Sequence, residues 1–146
     1  MIALITQPLA IAITFIWIGL VLGISFLEAW LKFRAPGVTT AIGLGIGRLV
    51  FGTLNKIEWL LALVLAVAAF VQQEPVLATG NVALFATVCL MIMQTVWLLP
   101  ALDKRALRVI DNQPVSSSNL HIIFIIAELA KIALLVTVGI SLLTDL

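Results

Sequence analysis

"NLHIIFIIAELAKIALLV", residues 119–136, is apolar enough to belong in lipid, yet it carries His121, Glu128 and Lys131. An ionised group at the centre of a membrane helix costs about 2.5–3.5 kcal/mol on insertion scales. A chain that accepts this cost twice within one helical turn must give both groups an interior to face. The stretch therefore implies one helix of a bundle, its charges turned inward and its Ile and Leu side chains turned outward.

The rest of the chain supplies that bundle. Of 146 residues, 63% are hydrophobic and 10% charged, with a mean hydropathy of +1.26. A soluble domain sits nearer ~45–50% apolar and ~25% charged. A bilayer crossing needs about 20 apolar residues, and four runs qualify: 8–33, 49–71, 82–99 and 120–143. The first run is expected to be a retained helix. It has no Lys or Arg before it, exceeds the ~7–15 residues of a signal core, and leads to no A-x-A-like cleavage site. Cys89 and His121 are the single cysteine and histidine, which excludes a disulfide within the chain, a C-x-x-C motif and bis-His haem. The net charge of +1 comes without a basic face for a phosphate backbone, so nucleic acid is not expected as a partner.

Lys and Arg set the expected orientation. Lys32, Arg34 and Arg48 fall between runs one and two, and Lys104, Arg105 and Arg108 between runs three and four. The N-terminus, the 72–81 connection and the C-terminus carry none. Positive connections stay in the cytoplasm, so both termini are expected outside the inner membrane. Trp30 and Trp97 lie near the expected cytoplasmic ends, where indoles settle.

The two basic connections, 34–48 and 100–119, hold more than loop. Pro36 and Gly37 end the first helix, and the glycine-rich stretch after them either lies in the interface or extends helix two. Gly43, Gly45 and Gly47 lack the spacing of a P-loop or a dinucleotide turn, so they read as sites of close backbone packing. Gly19 and Gly23 form a small-xxx-small face, expected to pack within the chain, with dimerisation as the alternative. Pro100 favours a kink or break. Beyond it Leu102, Ala106, Val109 and Ile110 face away from Lys104, Arg105 and Arg108, the pattern of an interfacial amphipathic helix resting on anionic headgroups. Ser117 or Ser118 can cap the last helix.

Depth and phase gather the polar residues of the helices. At ~1.5 Å per residue, Glu28, Glu58, Gln94 and Glu128 fall roughly 8–14 Å below the cytoplasmic surface, with Lys131 somewhat deeper. At about 100° per residue, His121, Glu128 and Lys131 share a face, as do Arg48, Asn55 and Glu58. The expected site is thus a buried polar layer of Glu28, Asn55, Glu58, Gln94, His121, Glu128 and Lys131. Within their own helices Glu128 has Lys131 and Glu28 has Lys32, while Glu58 has Asn55 and no cation. That makes Glu58 the carboxylate expected to change protonation. Lys56 is expected to snorkel to the surface. His121 also reads simply as a helix-end polar residue. Three carboxylates and a histidine can hold a hard or borderline cation, but no E-x-x-H or H-x-x-E spacing is present, and no cofactor is expected.

The stretch "GISFLEAWLKFRAPGVTTAIGLGIGRLVFGTLNKIE", residues 23–58, followed by "PALDKRALRVI", residues 100–110, and by His121 opening the last helix, resembles small uncharacterised bacterial four-helix membrane proteins. The layout is distantly similar to the transmembrane-protein-205-like and copper-resistance-D-like groups. Gly23, Phe26, Gly47, Phe51, Pro100, Arg105 and His121 carry the resemblance, which implies a fold. Glu28, Glu58, Glu128 and Lys131 are not among its matching features.

The expected fold is all-α: one polytopic domain over residues 1–146, a four-transmembrane-helix bundle with interfacial helical segments on the cytoplasmic side. The expected function is ion- or proton-linked transport or sensing, in a homo-oligomer. The alternative is a non-catalytic accessory or scaffold subunit of a larger membrane complex. A membrane enzyme or metal-handling protein has the least support, since no catalytic set is discernible.

Overall fold

Helices long and apolar enough to cross a membrane occupy nearly the whole chain: Ile5–Arg34, Thr40–Gln72, Thr79–Ile110 and Leu120–Thr144, hereafter the first to fourth spans. They come from a computed structural model that describes residues 2–72 and 78–144. No strand occurs among the described residues. Residues 73–77, the middle of the connection read as external, lie outside the described residues.

The first span combines α1 (Ile2–Val21), a π-helical segment (Leu22–Glu28), α2 (Ala29–Leu31) and a 3-10 turn (Lys32–Arg34). The second is α3 (Thr40–Gln72). The third joins α4 (Thr79–Met93), a second π-helical segment (Gln94–Leu98) and α5 (Leu99–Ile110). The fourth is α6 (Leu120–Thr144). Their packing closes a ring: α1 lies against α3 and α6, α4 against α6, and α3 mainly against α5. The outer surface is apolar, with Leu49, Phe70, Phe85 and Val96 all exposed. In water such a surface would be untenable; around four apolar spans it is what lipid requires.

The helices overrun their expected limits at the basic end. Helix two was expected from residue 49 and begins at Thr40, so the glycine-rich stretch extends it. Its glycines serve close packing in two of three cases. The Phe33 ring fills the space a side chain would take at Gly43, and a Cβ at Gly47 would lie 3.0 Å from Lys32 Nζ. Gly45 meets nothing. The contact expected at Gly19 and Gly23 is absent too: a Cβ at either has no neighbour within 4 Å.

A separate interfacial helix after Pro100 is also not what forms. α5 continues the third span directly, with Pro100 in its first turn. The wider π-turn just before it gives the ring room against the preceding carbonyls, and Pro is tolerated where no helix donor is needed. α5 keeps its expected two faces, with Ala106 buried and Lys104 and Arg108 exposed. It stops in a Schellman-type cap, in which Gln113 N–H reaches Arg108 O and Asn112 adopts φ +53°, a conformation Asn tolerates. Ser118 Oγ then accepts from Leu120 N–H and starts α6.

Two apolar cores result. The larger unites Ala10, Trp17, Val21, Ala62, Leu65, Leu84, Met91, Leu135 and Val138 among others. The smaller, toward the basic end, centres on Leu98, Phe124 and Ala127. Glu58, Glu128 and Lys131 fall between them, while Thr14 and Thr87 lie within the larger core.

Candidate functional site

The buried polar residues converge on one ammonium. Lys131 of α6 is 1% exposed, and its Nζ donates to Glu58 Oε1 at 2.7 Å and to Glu128 Oε1 at 2.8 Å. Glu128 lies one turn earlier on the same helix, whereas Glu58 reaches across from α3. Both carboxylates are nearly sealed, 2% and 3% exposed. Hydrogen bonds from the other spans complete them. Gln94 Nε2 donates to Glu128 Oε1 at 2.6 Å, and Ser25 Oγ to Glu128 Oε2 at 2.6 Å. Trp17 Nε1 donates to Glu58 Oε1 at 2.9 Å. All four spans therefore contribute to one network.

The two donors that reach Glu128 from other spans stand on the two π-helical segments, Ser25 within Leu22–Glu28 and Gln94 at the start of Gln94–Leu98. A π-turn widens the helix and re-aims side chains, and such turns recur at functional sites. Here they aim a hydroxyl and an amide at the same buried carboxylate.

Four members of the expected layer, Glu58, Gln94, Glu128 and Lys131, thus meet in direct contact. Three do not join them. Glu28 is a partly exposed residue (29% of its side chain) that accepts from Lys32 Nζ at 3.1 Å. The π-segment explains the miss: each residue of the wider turn advances by less than the ~100° of an α-helix, so Ser25 faces inward and Glu28 is carried off that face. His121 is exposed at the basic end of α6, in line with its reading as a helix-end residue. Asn55 is half-buried in a neighbouring chain of bonds, where Trp59 Nε1 donates to Thr95 Oγ1 and Thr95 Oγ1 to Asn55 Oδ1, each at 3.0 Å. Glu58, with no cation on its own helix, takes Lys131 from α6.

Trp17, Thr95 and Asp103 escaped the reading of the sequence. Trp17, Val21 and Ser25 recur every four residues and are all buried, so helical phase alone places the Trp17 indole on the inward face. Asp103 takes both bonds of the Arg48 guanidinium, from Nε and, at 3.2 Å, from Nη2. Of the remaining basic residues, Lys104 and Arg108 are exposed, Arg105 donates to Ser116 O, and Arg34 lies over the Trp30 ring at 4.7 Å.

One cavity touches the network and a second lies beside the first. The first, of about 10 Å³, the size of a single water, touches Glu58, Gln94, Glu128 and Lys131. The other, about 500 Å³, lies among the basic ends of the helices. Phe51, Asn55, Leu99 and Phe124 line both, and the Phe51 and Phe124 rings meet edge to face at 5.2 Å. Among the described residues no three His, Cys, Asp or Glu side chains come together as metal ligands. No protein-family model matches the chain, and neither does any curated protein or solved structure.

Proposed function

We propose that this is a multi-pass inner-membrane protein, its termini outside, in which the Glu58–Lys131–Glu128 cluster serves proton-linked transport or sensing. One observation carries the reading: two buried carboxylates surround one ammonium. That leaves one negative charge to be balanced in a low-dielectric interior, where an unpaired charge is costly. A proton balances it without needing space, and the adjoining cavity admits little more than a water. The large cavity sharing Phe51, Asn55, Leu99 and Phe124 with the small one supplies an approach from the basic, cytoplasmic end. A homo-oligomer fits this reading, since four helices closed around a sealed network enclose little pathway of their own.

Glu58 remains the proposed proton carrier, on new grounds. A Gln in its place keeps an acceptor for Trp17 and Lys131 and leaves Glu128 and Lys131 as a neutral pair. Glu58→Gln is therefore expected to stay folded and inserted while losing proton flux in liposomes. A second reading, a non-catalytic accessory subunit of a larger membrane complex, draws on how completely Glu128 is paired. Under it the parent protein shows no flux and Glu58→Gln lowers the unfolding temperature in detergent. That pair of results would sink the transport reading.

A further inference from the structure

The large cavity is not used by the proton-linked reading except as an approach, and its walls describe a ligand. At about 500 Å³ it has the size of small-molecule pockets, which span ~300–1,000 Å³ and are mostly apolar with a few placed polar groups. Phe33, Leu44, Phe51, Leu99, Leu102 and Phe124 supply the apolar wall, and Lys32, Arg48, Asp103 and His121 the polar one.

The two cations on that wall are held unequally. Asp103 takes both bonds of Arg48, whereas Glu28 takes one donor of Lys32, at 3.1 Å. The Lys32 side chain is 9% exposed, and its ammonium is held over the Phe51 ring at 5.2 Å and the Phe33 ring at 5.6 Å. Its one hydrogen bond, to Glu28, leads away from the cavity, since Glu28 is not among the lining residues. An ammonium has three donors, so Lys32 retains capacity for an oxyanion at a desolvated, geometrically fixed position.

We propose that this cavity binds a singly charged acidic amphiphile, a long-chain carboxylate, with its head on Lys32 beside Arg48 and its chain among the phenylalanines and leucines. The two donors that Lys32 keeps free of Glu28 suit the two oxygens of one carboxylate. A small free anion would leave the apolar wall unfilled. The surrounding apolar surface is where such a molecule concentrates. This site stands independently of proton transport, because binding needs no flux.

The test uses the full chain in nanodiscs of zwitterionic phosphatidylcholine, titrated with a dansyl-labelled fatty acid and competed with unlabelled compounds. Saturable binding is expected, displaced by dodecanoate and not by acetate, methyl dodecanoate or phosphatidylglycerol. Lys32→Gln should weaken it about tenfold, the worth of a lost charge-assisted hydrogen bond, and Lys32→Arg should largely restore it. Gly52→Leu fills the cavity without a clash, because Gly52 lines it and a Cβ there meets nothing within 4 Å. Binding should then be lost, whereas Gly45→Leu, the same change off the cavity, should leave it intact. Methyl dodecanoate competing as well as the acid, phosphatidylglycerol displacing the probe, or Gly52→Leu binding normally would each overturn the assignment.

Discussion

The two apolar cores differ in how they treat polar groups. In the larger one, hydroxyls bond back to their own helix: Thr14 Oγ1 to Ala10 O at 2.8 Å and Thr87 Oγ1 to Ala83 O at 2.9 Å. These two bonds tie no helix to another; Gln7, which donates to Leu142 O, and Trp17, at the core's edge toward Glu58, do. At the boundary with the smaller core the bonds run between helices, and Glu58, Glu128 and Lys131 tie four spans into one network. The smaller core is also where the large cavity lies. Dispersion contacts are lost wherever a void replaces a neighbour. The basic end is thus held by charge and hydrogen bonding where the far end is held by packing.

The sharpest way to break that contrast is Lys131→Met. Methionine fits the site's length but leaves two buried carboxylates facing each other without a cation. Removing one partner of a buried ion pair costs about 3–5 kcal/mol, and here one residue serves two carboxylates. Thermal unfolding in detergent should show this as the largest loss among single changes in the cluster. A Lys131→Met protein as stable as its parent would mean that the charges are not holding the helices.

How far this contrast could be read in advance depends on what each signal measures. Hydropathy located four spans because lipid demands long apolar runs. It misjudged their basic ends, since the stretches 40–48 and 99–110 are helical without being uniformly apolar. Pro100 pointed to a kink or a break, and no break forms because the π-turn before it makes room for the ring. Counting depth found Glu58, Gln94, Glu128 and Lys131, because residues at one level of a bundle meet. It misplaced Glu28 because phase assumes a regular α-helix, and Ser25 and Glu28 both lie in a π-segment. Trp17 went unassigned because an indole serves an interface and an interior equally well, and its four-residue spacing with Val21 and Ser25 was the signal that favoured the interior.

A second test sharpens the contrast within the network. Gln94→Leu puts an apolar side chain of similar size in place of the amide and strips Glu128 of the donor at 2.6 Å. Glu128 retains Lys131 and Ser25, so the fold should survive. Leaving a buried acceptor short of one partner costs about 1–3 kcal/mol, which predicts a lower unfolding temperature than the parent and a higher one than Lys131→Met. Equal losses for the two changes would show that the amide matters as much as the charge, contrary to the proposed ranking.

The smallest effect is expected on the same span, two turns away. Thr87 is as buried as Gln94, at 0% against 2% exposed, so burial alone would rank Thr87→Val beside Gln94→Leu. The partners say otherwise. The Thr87 hydroxyl donates to Ala83 O, a carbonyl whose helical position already gives it the N–H four residues on. Valine keeps the branched shape and removes the donor, and no other polar group loses its only partner. Back-bonding hydroxyls of this kind stabilise a helix little and can bend it. Thr87→Val should therefore stay within about 0.5 kcal/mol of the parent, read from the same unfolding curves that rank the other two. A loss matching that of Gln94→Leu would show that the far core also depends on its polar groups. The division between a packed half and a bonded half would then not hold.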